Sequence, residues 1–404
     1  MLRVDAERLR ADFDALAGIG ATAGGGVSRP SFGDAHLEAR RWFLRRAAEA
    51  GLDTRVDAAG NHSALLSTPS REATTLLLGS HLDSVPNGGR FDGALGVVAA
   101  LEVLRTVQHA KIELAVTLEA IDFSDEEGTL VGLLGSEALA GTLRPEKLAH
   151  PRGGRAALVV WLRHAGLDED ALGNARRDPS SLHAYLELHV EQGPVLERAG
   201  ADIGVVTGIV GSRSLWLDFV GEAAHAGTTP MDARRDAGVA AARFVTAAHD
   251  LVRRDHPNAV ATVGSLALEP GAFNVVAGRA RVGLEFRSSD AAELAVLETE
   301  LVALARGQGL EVEVEPVAAW EPTQLDEAVQ AAVARAATDL GLQTLALPSG
   351  AGHDAQSLAA VTRSGMIFVP SRGGVSHQPA EHTDWSDCVN GANVLLHAAL
   401  ALAF

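Results

Sequence analysis

The feature that most constrains the fold of this chain is an alternation of strand and helix patterns that is interrupted once. Apolar runs such as TTLLL alternate with helical patterns such as GALGVVAALEVLRTV, which favours a mostly parallel sheet. From about residue 210 the order becomes strand, helix, strand, strand, helix, strand, as in a split βαβ unit. The sequence therefore predicts an α/β domain formed by residues 1–210 and 323–404, interrupted by a small α+β domain at 211–322.

Periodicity and turn residues also predict the individual elements. The long helix of the insert begins in TTPMD, where Thr229, Pro230 and Asp232 resemble a capping-box start. The segment 124–180 shows no clear period and is predicted to be irregular. The predicted helices cover 5–17, 34–51, 231–253, 290–307 and 326–340, and strand-like segments cover 54–67 and 74–80.

Composition and charge exclude several classes of protein. The 404 residues are 47% hydrophobic and 21% charged, which is typical of a soluble globular protein with a sizeable core. Because 52 acidic residues oppose 34 basic ones, the formal charge of −18 should repel nucleic acid and anionic membranes. We therefore expect neither nucleic acid nor a membrane as a partner.

The cysteine count and the two ends of the chain suggest where the protein resides. Cys388 is the only cysteine, so no internal disulfide can form. The amphipathic N-terminal pattern lacks the apolar core of a signal peptide. The apolar end GANVLLHAALALAF has about fourteen residues, fewer than the roughly 20 that span a bilayer. The sequence predicts a soluble, cytoplasmic protein.

A glycine-rich stretch, GSHLDSVPNGGRFDG, follows the apolar run TTLLL and carries His81, Asp83 and Asp92. Strand ends that open into glycine-rich loops commonly hold ligands in α/β proteins. Histidine and aspartate are also typical ligands of borderline divalent metals. One such cluster is weak evidence, because a lone histidine is more often a surface residue or a satisfied core residue.

Three further clusters occupy comparable places. DFSDEEG carries Glu126 and Glu127, HVEQG carries His189, and GGVSHQPAEH carries His377. A pair of adjacent glutamates alone would usually be a solvated turn. At a strand end, alternating side chains point opposite ways, so one carboxylate can bind metal while its neighbour reaches a water. Four clusters of histidine and carboxylate together predict a metal site.

Together these motifs resemble the di-metal aminoacylase/carboxypeptidase-type metallohydrolases. The resemblance is to the branch containing N-carbamoyl-L-amino-acid hydrolases, β-ureidopropionases and allantoate amidohydrolases, and it spans roughly residues 79 to 385. It implies an α/β catalytic domain interrupted by an α+β domain that forms a homodimer. The matching segments are GSHLDSVPNGGRFDGALGV, FSDEEG, ELHVEQGPVLE, GIVG, GEAAHAGTTPMDARRDA, SGAGHDA and FVPSRGGVSHQPAE.

The resemblance assigns roles in a centre of two divalent ions, which zinc, manganese, cobalt or nickel would suit equally. It implies that Asp92 bridges the ions and that Glu126 is the catalytic acid/base. It also implies that Asp83 hydrogen-bonds the imidazole of His81 and fixes its tautomer. The implied metal ligands are His81, Asp92, Glu127, His189 and His377.

In the insert, the resemblance implies that His225 reaches the partner subunit's metals and stabilises the tetrahedral oxyanion. The alternative is a loop histidine held for packing. Arg287 suits a substrate carboxylate because its planar fork binds both oxygens, although an exposed strand-end arginine is also plausible. The implied substrate-binding residues are Gln192, His225, Asn274, Arg287, Gly350, Gly352 and His353.

The chain departs from the family pattern after FSDEEG. Leu130 and Val131 stand where the family carries an Arg-Phe pair, and Glu137 replaces an arginine. A short deletion accompanies these changes. Because the segment borders the metal site, it bears on side-chain specificity but not on the ligand set.

Four functions compete on the sequence alone. The leading one is hydrolysis of an N-carbamoyl-L-amino acid, a small substrate with a free carboxylate. The second is hydrolysis of allantoate or another ureido acid, and the third is an N-acyl amino acid aminoacylase or dipeptidase. The fourth is a catalytically silent metal-dependent binding protein, which the presence of Glu126 disfavours.

Overall fold

The computed structural model describes residues 1–68, 70 and 73–404. The chain folds into two compact units, each with its own hydrophobic core. The first unit comprises Met1–Thr207 and Gln324–Phe404, and the second comprises Gly208–Thr323. The bounds predicted for the insert were 211–322.

Strands and helices alternate along much of the first unit, whereas the second unit has a different order of strands and helices. The strands are β1 (Asp53–Val56), β2 (His62–Leu66), β3 (Thr75–His81), β4 (Thr117–Phe123), β5 (Leu182–Val190), β6 (Ile203–Ile209), β7 (Gly211–Val220), β8 (Ala224–His225), β9 (Val260–Glu269), β10 (Val275–Val276), β11 (Arg279–Ser288), β12 (Glu311–Trp320), β13 (Thr323–Gln324), β14 (Thr344–Ser349) and β15 (Ser364–Val369). The helices are α1 (Ala6–Ala17), α2 (Asp34–Glu49), α3 (Ala94–His109), α4 (Leu134–Ala140), α5 (Pro145–Ala149), α6 (Arg155–His164), α7 (Val195–Ala199), α8 (Ala237–Asp255), α9 (Ala291–Arg306), α10 (Glu327–Asp339), α11 (Asp354–Leu358) and α12 (Trp385–Ala403).

The first unit is built on a sheet with the strand order β1-β2-β4-β3-β5-β15-β6-β13, to which β14 adds by pairing with β6. The central pairs β4–β3, β3–β5 and β5–β15 are parallel. The pairs β2–β4 and β15–β6, one on each flank, are antiparallel. The predicted α/β domain with a mostly parallel sheet is confirmed, with the parallel part at its centre.

Helix α3 shows how the centre of this sheet is covered. It is mostly apolar and is buried from Ala94 to Val107, as expected for a helix packed between a sheet and other helices. It packs on β3, β4 and β5, while α1 and α12 pack against it. Among the described residues, no helix is both long and apolar enough to cross a membrane.

The prediction that residues 124–180 are irregular is wrong. The segment contains α4, α5 and α6 and two 3-10 helices, Glu169–Ala175 and Pro179–Ser181. Leu134, Leu158 and Leu172 contribute to a small core that also contains Phe32 and Ala59. The helices are short, and glycines at positive φ such as Gly141 and Gly154 separate them, so no period is sustained long enough to be recognised.

The second unit is a four-stranded antiparallel sheet in the order β12-β7-β11-β9, with α8 and α9 packed on one face. Strand β11 alternates buried and half-buried residues because one face of the sheet meets the helices. The predicted strand-helix-strand-strand-helix-strand order of this unit is confirmed. Strands β8 and β10 form a separate two-stranded ribbon.

The predicted start of the insert's long helix at residue 231 is wrong. Residues Met231–Ala233 form a 3-10 turn, and α8 begins at Ala237. Asp236 is the N-cap, and its carboxylate accepts from the amides of Gly238 and Val239. Because the Asp236 side chain binds two amides of the first turn, it is a better N-cap than the Thr-Pro pair suggested by the sequence, and the helix begins after Asp236.

Candidate metal centre

Strand order brings the four sequence clusters to one edge of the sheet. The strands β4, β3, β5 and β15 are adjacent and parallel, so their carboxyl ends lie side by side. Ligands of open α/β sheets bind at this edge. The cluster residues are His81 at the end of β3, Glu126 and Glu127 after β4, His189 near the end of β5, and His377 after β15.

The carboxylate of Asp92 stands between two groups of ligand atoms. Its Oδ1 lies 3.6 Å from Nε2 of His81 and 3.1 Å from Nε2 of His189. Its Oδ2 lies 3.4 Å from Nε2 of His377, which is itself 3.5 Å from Oε2 of Glu127. Each group has its ligand atoms within 4.8 Å of one another, as a metal ion requires, and Asp92 belongs to both.

Main-chain hydrogen bonds fix the tautomers of the two buried histidines. Nδ1 of His81 lies 3.1 Å from the carbonyl oxygen of Asp83, and Nδ1 of His189 lies 2.8 Å from that of Val190. A carbonyl accepts only, so each Nδ1 carries a proton and each Nε2 is the nitrogen that faces the candidate metal site. The amide of Gly93 donates to Nε2 of His189 over 3.2 Å, in agreement with this tautomer.

The carboxylate of Asp83 lies beside His81 and also contacts other groups. Its Oδ1 is 3.6 Å from Nδ1 of His81, and the carbonyl oxygen of the same residue accepts the hydrogen bond from that ring. The role of the carboxylate in fixing the tautomer stays a prediction. The carboxylate accepts from the Ser31 hydroxyl at 2.7 Å and from the amides of Glu126 at 3.4 Å and Glu127 at 3.2 Å. Asp83 thus links the His81 strand to the main chain of the glutamate pair.

Glu126 and Glu127 lie on opposite sides of Asp92. Oε2 of Glu126 is 3.5 Å from Nε2 of His81, whereas Glu127 faces His377. Burial raises the pKa of Glu126 well above its usual range, although His81 opposes this shift. Burial, to which the charge of Asp92 adds, raises the pKa of Glu127 to about 7. The site therefore concentrates carboxylates in a place where ionising them is costly without a cation.

The donor set fits divalent metal ions. It consists of imidazole nitrogens and carboxylate oxygens without thiolate, a combination that suits several borderline divalent ions. Oε1 of Glu127 is buried and has no hydrogen-bond partner among the described residues. A buried carboxylate oxygen without a partner is costly, and a metal ligand bond would satisfy it.

Three residues at this edge of the sheet have a left-handed backbone although they carry side chains. The φ angles are 54° for Asp125, 59° for Gln192 and 56° for His377. Such conformations cost free energy and persist where the surroundings fix them, often at functional sites. Here Gln192 and His377 place their side chains against Asp92, and Asp125 lies in the loop that carries Glu126 and Glu127.

The structure puts Gln192 against the carboxylate of Asp92. Its amide Nε2 donates to Oδ2 of Asp92 at 2.9 Å and to the hydroxyl of Ser376 at 3.1 Å. Its Oε1 is buried and lacks a partner among the described residues, so it remains able to accept from a ligand. Its assignment as a substrate-binding residue stays a prediction.

The predicted binding loop after β14 contains both exposed and buried residues. Gly350 and Gly352 are exposed, whereas His353 is only 1% exposed. The ring of His353 packs edge-on against His189, with the centroids 4.5 Å apart, and its Nε2 shares a hydrogen bond with Ser349. The structure thus places His353 behind a candidate metal ligand, and its direct contact with substrate stays a prediction.

The three predicted residues of the second unit do not lie together. His225 on β8 pairs with Val275 on β10, next to Asn274, whose carbonyl accepts from Ala226. Arg287 lies near the far end of β11, where it donates to Oε1 of Glu285 at 2.8 Å. The structure brings His225 and Asn274 together and leaves Arg287 at the other end of the sheet.

The segment that departs from the family pattern is hydrogen-bonded to the side chain of Asp125. This carboxylate accepts from the amides of Leu130, Val131 and Gly132 over 3.1, 2.7 and 3.2 Å. Glu137 pairs with Lys147 over 2.6 Å. The divergent segment therefore forms hydrogen bonds and an ion pair of its own. The amides of Glu126 and Glu127 remain hydrogen-bonded to Asp83.

Sequence reasoning missed Glu187, a fully buried carboxylate behind the candidate ligands. It accepts from the Ser80 hydroxyl at 2.8 Å and from the Ala355 amide at 3.0 Å. It also forms a third group of ligand atoms with His189 and His353. The available signal was an acidic residue in the middle of the apolar strand YLELHV, where a solvated side chain is not expected.

Comparisons with known proteins agree with this geometry. The family model described as "Peptidase family M20/M25/M40" matches residues 77–401. The chain is 40% identical to N-carbamoyl-L-amino acid amidohydrolase of Geobacillus stearothermophilus, covering 99% of both chains. It is 33% identical to allantoate amidohydrolase of Bacillus subtilis strain 168, covering 96% of both. A solved amidase of the hydantoinase/carbamoylase family from Burkholderia multivorans has a TM-score of 0.90 and 36% identity, covering 100% of this chain and 98% of that one.

Proposed function

Because the chain belongs to the peptidase family M20/M25/M40, we propose that it hydrolyses the carbamoyl C–N bond of an N-carbamoyl-L-amino acid. The products would be the free amino acid, carbon dioxide and ammonia. The observation that carries this proposal is the position of Asp92 between two groups of ligand atoms, with Glu126 beside one of them. Relatives named for this activity match the chain over nearly its whole length, which supports the substrate class.

The proposed centre holds two divalent ions. One would be held by His81, Asp92 and His189 and the other by Asp92, Glu127 and His377. The ligand types suit zinc, manganese, cobalt or nickel. When bound, such ions lower the pKa of water and polarise a carbonyl group.

Glu126 is the proposed acid/base. Its carboxylate lies on the His81 side of Asp92, outside the two proposed ligand groups, and is therefore available for proton transfer. It would take the proton from the attacking water and deliver it to the nitrogen that leaves. Asp83 would keep it in place through the hydrogen bond to its amide.

His225 is the proposed donor to the oxyanion. Its Nδ1 accepts from the amides of Gly227 at 3.1 Å and Thr228 at 3.2 Å, so the proton sits on Nε2. A neutral imidazole with an exposed Nε2–H suits an oxygen on which negative charge develops. Asn274 lies beside it and would contact the same substrate.

The distance between Arg287 and His225 supports an active site shared between two subunits. Arg287 lies eight residues along β11 from Arg279, which pairs with Val220 at the end near the β8–β10 ribbon. This separation is about 26 Å at the rise of a strand, longer than a carbamoyl amino acid. If both side chains bind one substrate, they must come from different copies of the chain.

An exposed sheet edge in the second unit also supports the proposed homodimer. Strand β9 is an edge of the four-stranded sheet, and its side chains Val260, Leu266 and Leu268 are exposed. Open edges with apolar side chains tend to pair, and a second copy would cover this one. The substrate carboxylate would then be held by Arg287, while Gln192, Gly350, Gly352 and His353 would contribute to its pocket.

A panel of substrates tests the proposal. N-carbamoyl, N-acetyl and dipeptide forms of the same L-amino acids, together with allantoate, are assayed for ammonia and free amine with each of the four metals. We expect the carbamoyl compounds to be hydrolysed fastest. Faster turnover of allantoate would favour the alternative suggested by the Bacillus subtilis relative, and turnover of acetyl compounds alone would overturn the proposal.

A further inference from the structure

Glu381 joins two loops that carry candidate metal ligands. Its side chain is buried, with 4% of the residue exposed. Oε1 accepts from the amides of Phe91 at 3.0 Å and Asp92 at 3.1 Å, and Oε2 accepts from the hydroxyl of Ser376 at 2.7 Å. Because Ser376 precedes His377, one carboxylate fixes the main chain at Asp92 and the loop of His377.

Gly89 leaves the space that this carboxylate occupies. A Cβ added to Gly89 would collide with the carboxylate carbon and both oxygens of Glu381. The backbone of Gly89 is not in the left-handed region, so the glycine is required by the close approach and not by its φ angle. The loop before Asp92 is therefore shaped around the Glu381 side chain.

A second set of hydrogen bonds closes a ring through the same residues. Nε2 of Gln192 donates both to Oδ2 of Asp92 and to the hydroxyl of Ser376. That hydroxyl in turn donates to Glu381. The bridging carboxylate is thus held at its main chain by Glu381 and at its side chain by Gln192.

We propose that Glu381 is a positioning residue that holds Asp92 and the His377 loop in the geometry needed by the metal centre. His81 and His189 lie on strands of the parallel sheet, whose ladders fix them independently of Glu381. His377 has an exposed side chain on a loop. Loss of Glu381 should therefore weaken the ion held by Asp92, Glu127 and His377 more than the other. This difference rests on the proposed metal centre.

The first test measures positioning without any metal. Amide hydrogen exchange is followed by NMR in the metal-free full-length protein and its Glu381→Ala variant. We expect faster exchange at Phe91 and Asp92 in the variant, because both amides lose their acceptor. Glu381→Gln keeps an oxygen that can accept from them and should restore protection. Unchanged protection at both amides in a folded Glu381→Ala protein would overturn the proposal.

Two further variants separate positioning from a general loss of stability. Gly89→Ala leaves Glu381 in the sequence but displaces its carboxylate, so it should reproduce the Glu381→Ala exchange pattern. Asp236→Ala removes a carboxylate that also accepts from two amides, but in the other unit. It should leave exchange at Phe91 and Asp92 unchanged. Faster exchange there in Asp236→Ala would show that the effect is not specific to Glu381.

The second test measures metal affinity by competition with a chelator, using cobalt and zinc. In Glu381→Ala we expect one of two bound ions to lose at least about tenfold in affinity, as for other outer partners of ligands, and the other to be weakened less, since Asp92 belongs to both ligand groups. Equal weakening of both ions would overturn the proposed difference. A wild-type protein that binds no divalent ion would overturn the metal centre itself, while the exchange experiment would still decide whether Glu381 positions the loops.

Discussion

The α-carbon of Gly93 lies directly against the imidazole of His81. A Cβ built on Gly93 would stand 2.5 Å from three atoms of that ring, and the φ angle of 63° is one that side chains other than glycine adopt at a cost. Gly93 also caps α3 and follows Asp92. The glycine therefore lets the helix start, the residue Asp92 and the His81 ring lie close together in one small volume.

Replacing Gly93 with alanine should displace the His81 ring. We expect Gly93→Ala to lower metal affinity by at least about tenfold, in the range seen when a ligand is misplaced. Gly166→Ala is the matched control, because Gly166 has a similar φ of 73° and nothing within 4 Å of its added Cβ. Chelator competition on both variants makes the comparison. Equal affinity of the two variants would show that the ring has room to move.

Glu126→Gln should separate catalysis from metal binding. The substitution keeps the size of the side chain but removes the proton acceptor, so we expect turnover to fall by at least about a hundredfold. Both metals should stay bound, as measured by elemental analysis after dialysis. A variant that lost its metals would instead make Glu126 a ligand and exchange its role with that of Glu127.

Removal of metal should abolish activity. We expect a dialysed, chelator-treated protein to be inactive and to regain turnover with zinc, manganese, cobalt or nickel. The metal should also raise the midpoint of thermal unfolding, because it binds the folded chain in preference to the unfolded one. Full activity in a sample shown to be metal-free would rule out the proposed chemistry.

A mixture of two inactive variants tests whether the active site is shared between subunits. His225→Ala and Glu126→Ala homodimers should both lack appreciable activity. After dissociation and mixing, a heterodimer would contain one site with both intact groups, so activity should return in proportion to the heterodimer fraction. Mixing two preparations of the same variant is the control. A fully active protein that remains monomeric at micromolar concentration would be incompatible with this arrangement.

His62 should make the fold less stable in mild acid. Burial, to which the charge of Arg40 adds, lowers the pKa of His62 to about 3, against 6.5 in the unfolded chain. Between these values the unfolded chain binds a proton that the folded chain does not, so stability falls as the pH drops through this window. For one such group the loss between about pH 7 and 5 is at most about 2 kcal/mol.

Urea unfolding of the metal-free wild type and of His62→Gln at both pH values measures this contribution. Glutamine does not titrate and can still donate to the carbonyl of Gly60, which Nδ1 of His62 contacts at 2.8 Å. Other buried histidines contribute equally to both proteins. We expect the variant to lose less stability on acidification, and an equal loss in both proteins would contradict the assigned pKa.

The site shows where sequence reasoning reaches its limit. Strand-end clusters of histidine and carboxylate predict a metal site, and the resemblance of the motifs to a known family implies His81, Asp92, Glu127, His189 and His377 as its ligands, because a motif is a local property of the sequence. The structure brings all five together. The partners of Asp83 could not be predicted in the same way, because its carboxylate accepts from two amides some forty residues away in the chain.

Outside residues 124–180, the sequence by itself determined the order of the main strands and helices, the class of each unit and the ligand clusters. These follow from side-chain periodicity and turn residues over a few neighbouring positions. Only the tertiary structure decided that β4, β3, β5 and β15 are neighbours, that α8 starts at Ala237, and that Glu381 holds Asp92. Phe91 and Glu381 are separated by 290 positions in the chain, and no local pattern records a hydrogen bond made across that distance. Such contacts are selected by strand pairing and by the need to satisfy buried polar groups, which exist only once the chain has folded.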